Sequence, residues 1–191
     1  MSAKAVISRL DRVLKPLGFE RQKTTWNRKS GSFVDVVDVQ TSKVKNTITI
    51  NAGVFHSGVY AKCWGDWLPE FIEEPSCIVR TRIGQLIGEK DLWWKLDEVD
   101  VADAVAEKVS SHVLPFLGQM HSIDAMEQFL TSAQVVKQKY PPPIIYLAIL
   151  KHEQGNSNEA CALLGELKKK TVGAWQGRIN QITETLSCLK E

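Results

Sequence analysis

The chain has 191 residues, of which 43% are hydrophobic and 24% are charged, enough for one sizeable core or two small ones. Its 24 basic and 22 acidic residues leave a net charge of +2, which gives no support for a non-specific nucleic-acid binder. Met1 to Lys15 contains no apolar signal-peptide core, and no window approaches the ~18 consecutive apolar residues of a membrane span. We therefore expect a cytoplasmic protein that binds neither nucleic acid nor membrane.

The cysteines give no sign of a structural framework. A disulfide framework or a zinc site needs tighter clustering than they show, and no C-x-x-C pair occurs. The four are Cys63, Cys77, Cys161 and Cys188. We expect reduced thiols, no metal and no cofactor.

Apolar periodicity predicts a helix at the N-terminus and then a sheet. Val6, Leu10 and Leu14 recur at helical spacing, and Pro16 followed by Gly18 ends that helix. β-Branched and alternating segments follow, and they predict four or five antiparallel strands. These segments are Phe19 to Arg28, Ser32 to Gln40, Thr47 to Phe55 and Cys77 to Ile83. In the second, Asp35 and Asp38 have opposite parity, which predicts a bulge or burial on both faces.

Downstream of the last strand the pattern becomes helical. Asp100 is placed to cap one helix and Ser122 the next, and Pro141–Pro143 is the best candidate for a linker. The chain is thus predicted to be an α+β protein in which helices cover the sheet. We expect a sheet domain over residues 1–120 and a helical subdomain over residues 121–191.

Several segments resemble one family. They include "LKPLGFERQKTTWNR" (Leu14 to Arg28), "CIVRTRIGQL" (Cys77 to Leu86) and "VLPFLGQMHSIDAME" (Val113 to Glu127). With similar segments between them, they cover most of the chain from Leu14 to about Leu130. The chain resembles the uncharacterised bacterial family known as domain of unknown function 4304. The resemblance supports the α+β fold and implies no activity.

Two arginines on one strand form the first candidate site. Arg80 and Arg82 lie on the same face, and a guanidinium fork recognises planar anions with two hydrogen bonds. Asn51, on the polar face of another strand, is placed to join them in a small-anion or nucleotide site. The opposing interpretation is that carboxylates neutralise both arginines. The candidate partners are Asp35, Asp38, Glu73 and Glu74.

An aromatic and acidic loop, His56 to Pro75, forms the second candidate site. Trp64 and Trp67 would offer an apolar surface, and an acidic rim would suit a basic protein partner. The acidic residues are Asp66, Glu70, Glu73 and Glu74. The alternative is a short helix from Gly65 to Glu73 that covers the sheet.

Adjacent tryptophans and a basic hairpin complete the candidates. Trp93 and Trp94 cannot both face inward on a helix, so one of them is a candidate contact residue at the rim. The alternative, which we favour, is that both side chains are at least half-buried under the following helix. Basic residues around Trp26 could hold single-stranded nucleic acid, but they also protect edge strands from pairing, which we favour. These basic residues are Arg21, Lys23, Arg28 and Lys29.

No set of catalytic residues assembles in the sequence. Cys63 or Cys77 with His56 is the only nucleophile and base to consider, and Cys77 lies on a strand face that looks buried. We therefore predict that the protein is not an enzyme. The leading interpretation is a protein-binding module, for example an immunity-type protein that masks a toxin. The alternative is the anion-binding domain built on Arg80 and Arg82.

Overall fold

The computed structural model describes residues 3–132 and 140–188. The predicted α+β class is confirmed: helices accompany an antiparallel sheet and continue to the C-terminal part of the chain. Two compact units are present. The first contains the described residues up to Phe55 together with Glu70–His121, and the second contains His56–Pro69 and the described residues from Ser122 onwards. Residues 56–69 therefore group with the helices rather than with the sheet.

The first unit begins with the expected amphipathic helix, α1 (Ala3–Leu14). Its apolar stripe of Val6, Leu10 and Leu14 is completely buried. Pro16 lies in a short 3-10 turn, and Gly18 follows with a φ of 86°, a left-handed conformation that glycine adopts without steric penalty. The sequence signals for the end of this helix are confirmed.

Six strands form the sheet of the first unit. They are β1 (Glu20–Gln22), β2 (Thr25–Ser30), β3 (Phe33–Thr41), β4 (Thr47–His56), β5 (Val79–Arg82) and β6 (Trp94–Lys95). The strand order is β1-β2-β3-β4-β5, and β6 pairs with β4. In the β4–β5 ladder Asn51 lies opposite Arg82, so the register brings two of the predicted site residues together.

Strand β3 is buried on both faces. Asp35 has no exposed surface, and Asp38 on the opposite face is half-buried. The antiparallel register with β2 runs without interruption from Ser30 opposite Phe33 to Thr25 opposite Asp38. Burial on both faces, and not a bulge, therefore explains the opposite parity of the two aspartates.

Strand β4 leaves no room for a side chain at Gly53. A Cβ at this position would lie 2.7 Å from Cβ of Cys77 and 2.8 Å from the carbonyl oxygen of Val79. We expect Gly53→Ala to lower the free energy of unfolding by about 1–3 kcal/mol, because β5 backbone must move to accommodate it. Urea denaturation measures the change. Gly118→Ala is the control, since nothing lies within 4 Å of that helical glycine, and a loss as large there would contradict the explanation.

Strand β5 is shorter than the predicted segment Cys77 to Ile83. Ile83 already begins a single helical turn, α3 (Ile83–Leu86), whose start is held by the Gln85 side chain accepting from the Arg82 amide at 3.0 Å. Gly84 in this turn lies so close to the backbone nitrogen of Leu92 that a Cβ would approach it to 2.8 Å. A glycine thus permits the chain to turn tightly after the strand.

The helical segment after the sheet has three parts, α4 (Val101–Lys108), a π-helical turn (Val109–Val113) and α5 (Leu114–Gln119). Pro115 lacks the amide that a regular ladder needs, which accounts for the irregular turn before it. The predicted cap by Asp100 is wrong. Its side chain makes no capping hydrogen bond, and its φ of 60° places it in the left-handed region.

The second unit is helical. Among its described residues the helices are α2 (Ser57–Trp64), α6 (Ile123–Thr131), α7 (Pro142–Glu153), α8 (Ser157–Lys170) and α9 (Ala174–Thr185). The predicted cap at Ser122 is confirmed, since its Oγ accepts from the Ala125 amide at 3.1 Å. None of the helices in the described ranges is long and apolar enough to cross a membrane.

A disulfide joins Cys161 of α8 to Cys188, beyond the end of α9, with the two Cα atoms 5.4 Å apart. The expectation of a reduced thiol is wrong for these two cysteines and agrees with the structure for Cys63 and Cys77, which are free and buried. The sequence gives no local signal for the pair because 27 residues separate its members. Only the fold of the helical hairpin brings them together.

Candidate functional site

Each nitrogen of the Arg82 guanidinium donates a hydrogen bond to another side chain. Its Nη1 donates to Asp91 Oδ1 at 2.5 Å and its Nη2 to Gln40 Oε1 at 3.2 Å. The Nε group donates to Asn51 Oδ1 at 3.3 Å, and the guanidinium lies 5.4 Å from the ring centre of Trp93. Arg82, Asn51 and Trp93, three predicted site residues, therefore meet in one network.

Arg80 forms a two-bond ion pair with Glu74. Its Nε and Nη2 donate to the two carboxylate oxygens at 2.8 and 2.9 Å. Glu74 is only 8% exposed, so this pair is held against the protein surface rather than in open solvent. Both candidate arginines thus already have carboxylate partners, as the opposing interpretation of the sequence expected.

A polar cleft of about 470 Å³ opens beside Arg80 in the first unit. Asp38 lies in this cleft and accepts from Thr25 Oγ1 at 2.9 Å and from Asn51 Nδ2 at 3.4 Å. Burial raises the pKa of Asp38 above its usual value, and the nearby Glu74 carboxylate raises it further. The sequence suggested Asp38 as a carboxylate partner for the arginines, whereas its hydrogen-bond donors in the described residues are neutral.

The adjacent tryptophans differ in role. Trp94 belongs to β6 and pairs with Ile48 of β4. Trp93 lies under the Arg82 guanidinium. Both side chains are half-buried, as the favoured interpretation of the sequence expected, so neither is an exposed contact residue at the rim.

Trp64 helps to hold the helical unit together. Its indole Nε1 donates to the Tyr146 hydroxyl at 2.9 Å, and the Arg178 guanidinium lies 5.1 Å from its ring centre. Trp175 of α9 packs edge-on against it at 6.0 Å. With its polar atom bonded and its ring covered, Trp64 offers little surface to a partner.

Trp67, by contrast, projects into solvent. It is 79% exposed, and the following Leu68 is 42% exposed. The helix that the sequence analysis considered over Gly65 to Glu73 does not form. The helix is α2, which ends before Gly65, and the His56 imidazole caps its start by accepting from the Val59 amide at 3.2 Å.

The candidate nucleophiles are poorly suited to reaction. Burial raises the pKa of Cys63 to about 12 and raises that of Cys77 well above its usual value, so both remain protonated thiols at neutral pH. Burial also lowers the pKa of His56, whose Nδ1 is occupied by helix capping. In the described residues no three histidine, cysteine, aspartate or glutamate side chains are arranged to hold a metal ion.

The aromatic ring of the basic hairpin is buried, whereas Arg21, Lys23 and Lys29 are exposed. Trp26 is completely buried and its indole Nε1 donates to Asp11 at 2.9 Å, so its ring cannot stack on a base. Arg21 pairs with the same aspartate at 2.9 Å. These contacts support the preference for a structural role of the hairpin.

Asp35 of β3 lies in a buried polar cluster whose other members, Arg28 and His121, the sequence did not connect with it. Asp35 accepts from Arg28 Nε at 2.9 Å and from Arg28 Nη2 at 2.8 Å. Its other oxygen lies 2.7 Å from Nε2 of His121, whose ring stacks on Phe33. The parity of Asp35 along β3 was the only available signal, because His121 lies 86 residues away in sequence.

Residues 10–119 match the family described as Domain of unknown function (DUF4304). The chain belongs to this family. No curated protein and no solved structure matches it. The part that matches DUF4304 includes Asp38, Trp67 and both arginines, and it ends before helix α6.

Proposed function

We propose that this DUF4304 protein is a non-enzymatic binding module for another protein, with Trp67 and Leu68 as its principal contact residues. The observation that carries the proposal is the 79% exposure of Trp67 next to a second exposed apolar side chain. Tryptophan is enriched among the few residues that supply most of the energy of protein interfaces. An exposed pair of large apolar residues is a liability in water unless a partner covers it.

The partner is expected to carry basic groups around an apolar surface. Asp66, which precedes Trp67, is exposed. In the sequence the segment Gly65 to Pro75 contains four acidic residues and no basic one. Negative charge beside an apolar anchor speeds encounter with a positively charged protein and selects against acidic ones. An immunity-type protein of a bacterium, acting in the cytoplasm to mask a basic toxin, fits this chemistry.

The alternative, a small-anion or nucleotide site on Arg80 and Arg82, has lost support. Glu74 and Asp91 already neutralise the two guanidinium groups, so a bound anion would have to displace a carboxylate from each. The pKa values of the buried thiols also speak against a cysteine nucleophile. A protein-binding role thus has more support than an anion-binding site or a cysteine-based enzyme.

Affinity capture tests the proposal. The tagged protein is incubated with lysate of its native host, and the partner is identified by mass spectrometry, purified and titrated. Trp67→Ala should weaken binding by about 2 kcal/mol or more, roughly 30-fold, because it removes the anchor.

The control is Val172→Ala, which truncates another apolar side chain of the same unit that is 83% exposed. It should bind as the wild type does, and both variants should show wild-type unfolding curves. Equal affinity of the wild type and Trp67→Ala for the purified partner would contradict the proposed contact.

A further inference from the structure

The cleft of the first unit contains the Asp38 carboxylate, which forms no ion pair with a cation among the described residues. Asp38 is hydrogen-bonded only by neutral donors, Thr25 at 2.9 Å, Asn51 at 3.4 Å and Thr24 at 3.5 Å. Within residues 3–132 and 140–188, the ion pairs do not include Asp38. A half-buried carboxylate in this setting retains unused acceptor capacity and an unfavourable charge.

Arg80 lines the cleft and Arg82 shares Asn51 with Asp38, yet both guanidinium groups are bonded to other side chains. Arg80 donates to both oxygens of Glu74, and Arg82 is held by Asp91 and by the side-chain oxygens of Gln40 and Asn51. The ionisable side chains that line the cleft are Lys23, Asp38, Glu73, Glu74 and Arg80. Three carboxylates against two cations leave the lining with an excess of one negative charge.

We propose that this cleft binds an organic cation, a guanidinium or ammonium group, with Asp38 as its counter-ion. The carboxylate can accept two parallel N–H bonds from a guanidinium or one from an ammonium. The Phe71 side chain also lines the cleft and supplies an aromatic surface of the kind that cations contact. The volume of about 470 Å³ lies within the range of small-molecule sites, roughly 300–1,000 Å³.

The affinity should depend on the ionisation of Asp38. A cation binds the charged carboxylate, so affinity should fall as the pH is lowered through the pKa of Asp38, which burial holds above the usual aspartate value. Glu73 and Glu74 line the same cleft and strengthen the negative potential, whereas Lys23 and Arg80 oppose it.

The raised pKa of Asp38 also predicts that its charge lowers the stability of the folded protein. Because the folded-state pKa of Asp38 is raised, its ionised form opposes folding at every pH above that pKa. Asp38→Asn should therefore have a melting temperature at neutral pH no lower than that of the wild type. A loss of cation binding without a loss of stability distinguishes a binding residue from a structural one.

A titration followed by nuclear magnetic resonance tests the inference. The probes are agmatine, a free cation, and an end-blocked Gly-Arg-Gly peptide, in which the guanidinium is a protein side chain. N-methylurea, an uncharged molecule of related shape, is the control ligand. We expect agmatine or the peptide to shift the side-chain amide signals of Asn51 and Gln40 saturably, and N-methylurea to leave them unchanged.

Two variants test whether Asp38 is the residue that binds the cation. Asp38→Asn should weaken binding of the cation about tenfold or more, since it removes a charge-assisted hydrogen bond. Asp97→Asn removes the same charge from an exposed residue outside this cleft and should leave the affinity unchanged. No saturable shift with either probe, or equal affinity of Asp38→Asn, would overturn the inference.

The comparison of the probes identifies the source of the cation. Tighter binding of agmatine indicates a free small molecule, and equal or tighter binding of the peptide indicates a basic side chain of a protein. The inference stands apart from the Trp67 contact, because Trp67→Ala should bind either probe as the wild type does. Failure here would leave the proposed protein contact untouched.

Discussion

Replacing Asp35 by alanine is expected to lower the free energy of unfolding by about 3–5 kcal/mol, the effect of breaking a buried ion pair. Asp35 has no exposed surface and bonds to Arg28 through two donors and to His121 at 2.7 Å. The variant would leave the Arg28 guanidinium partly buried without its carboxylate. Chemical denaturation at neutral pH, monitored by fluorescence and circular dichroism, measures the loss.

Two further variants separate the causes of that loss. Arg28→Met combined with Asp35→Leu replaces the two charges by apolar groups and should recover part of the stability, because no guanidinium is left without its carboxylate. The recovery should be incomplete, because His121 still loses its Asp35 partner. Asp97→Asn, at an exposed position, should change the free energy of unfolding by less than about 0.5 kcal/mol. An effect of Asp35→Ala as small as that of Asp97→Asn would show that the buried group contributes little.

Replacing Asn27 by alanine is expected to destabilise the protein by about 2–6 kcal/mol, the sum of two buried groups left unsatisfied at roughly 1–3 kcal/mol each. The Asn27 amide donates to the carbonyl of Ile72 at 2.9 Å and accepts from the amide of the same residue at 2.6 Å. Both residues are buried, at 4% and 2% exposure.

Hydrogen exchange gives this prediction a local measurement. The Ile72 amide should lose its protection in Asn27→Ala by more than the global destabilisation explains, since the variant removes the Asn27 Oδ1 atom that accepts from it. Asn46→Ala is the matched control, because Asn46 is exposed and its side chain accepts from Ser42 Oγ at 3.2 Å in a bond that is open to solvent. Unchanged exchange at Ile72 in Asn27→Ala would contradict the anchoring role.

Elements governed by local patterns could be predicted from the sequence. The spacing of Val6, Leu10 and Leu14 indicated α1, and Ser122 indicated the start of α6. The opposite parity of Asp35 and Asp38 indicated burial on both faces of β3. In each case neighbouring residues decide the conformation, so the signal is present within one turn or strand.

Contacts between distant residues could not be predicted in the same way. The sequence could not choose a carboxylate for Arg82, which pairs with Asp91 through a chain reversal after β5. It gave no sign that Cys161 would meet Cys188. The start of α2 was also missed, because the cap is a histidine, His56, rather than serine, threonine, aspartate or asparagine.

The exposures of the tryptophans illustrate the same limit. Trp64 and Trp67 are three residues apart and were equivalent candidates, yet Tyr146 and Trp175 cover the first and leave the second exposed. The two aspartates of β3 differ in the same way, because Arg28 pairs with Asp35 and not with Asp38. Charge balance and exposure are properties of the tertiary fold, and the candidate contacts follow from them.

The central claim is that a protein partner covers Trp67, and fluorine magnetic resonance tests it most directly. The six tryptophans are labelled with 5-fluorotryptophan, and Trp67→Phe assigns the exposed signal. On addition of the purified partner, the Trp67 signal should shift and lose its sensitivity to exchange of H₂O for D₂O, while that of buried Trp26 stays unchanged. A complex in which Trp67 keeps its solvent sensitivity would contradict the account.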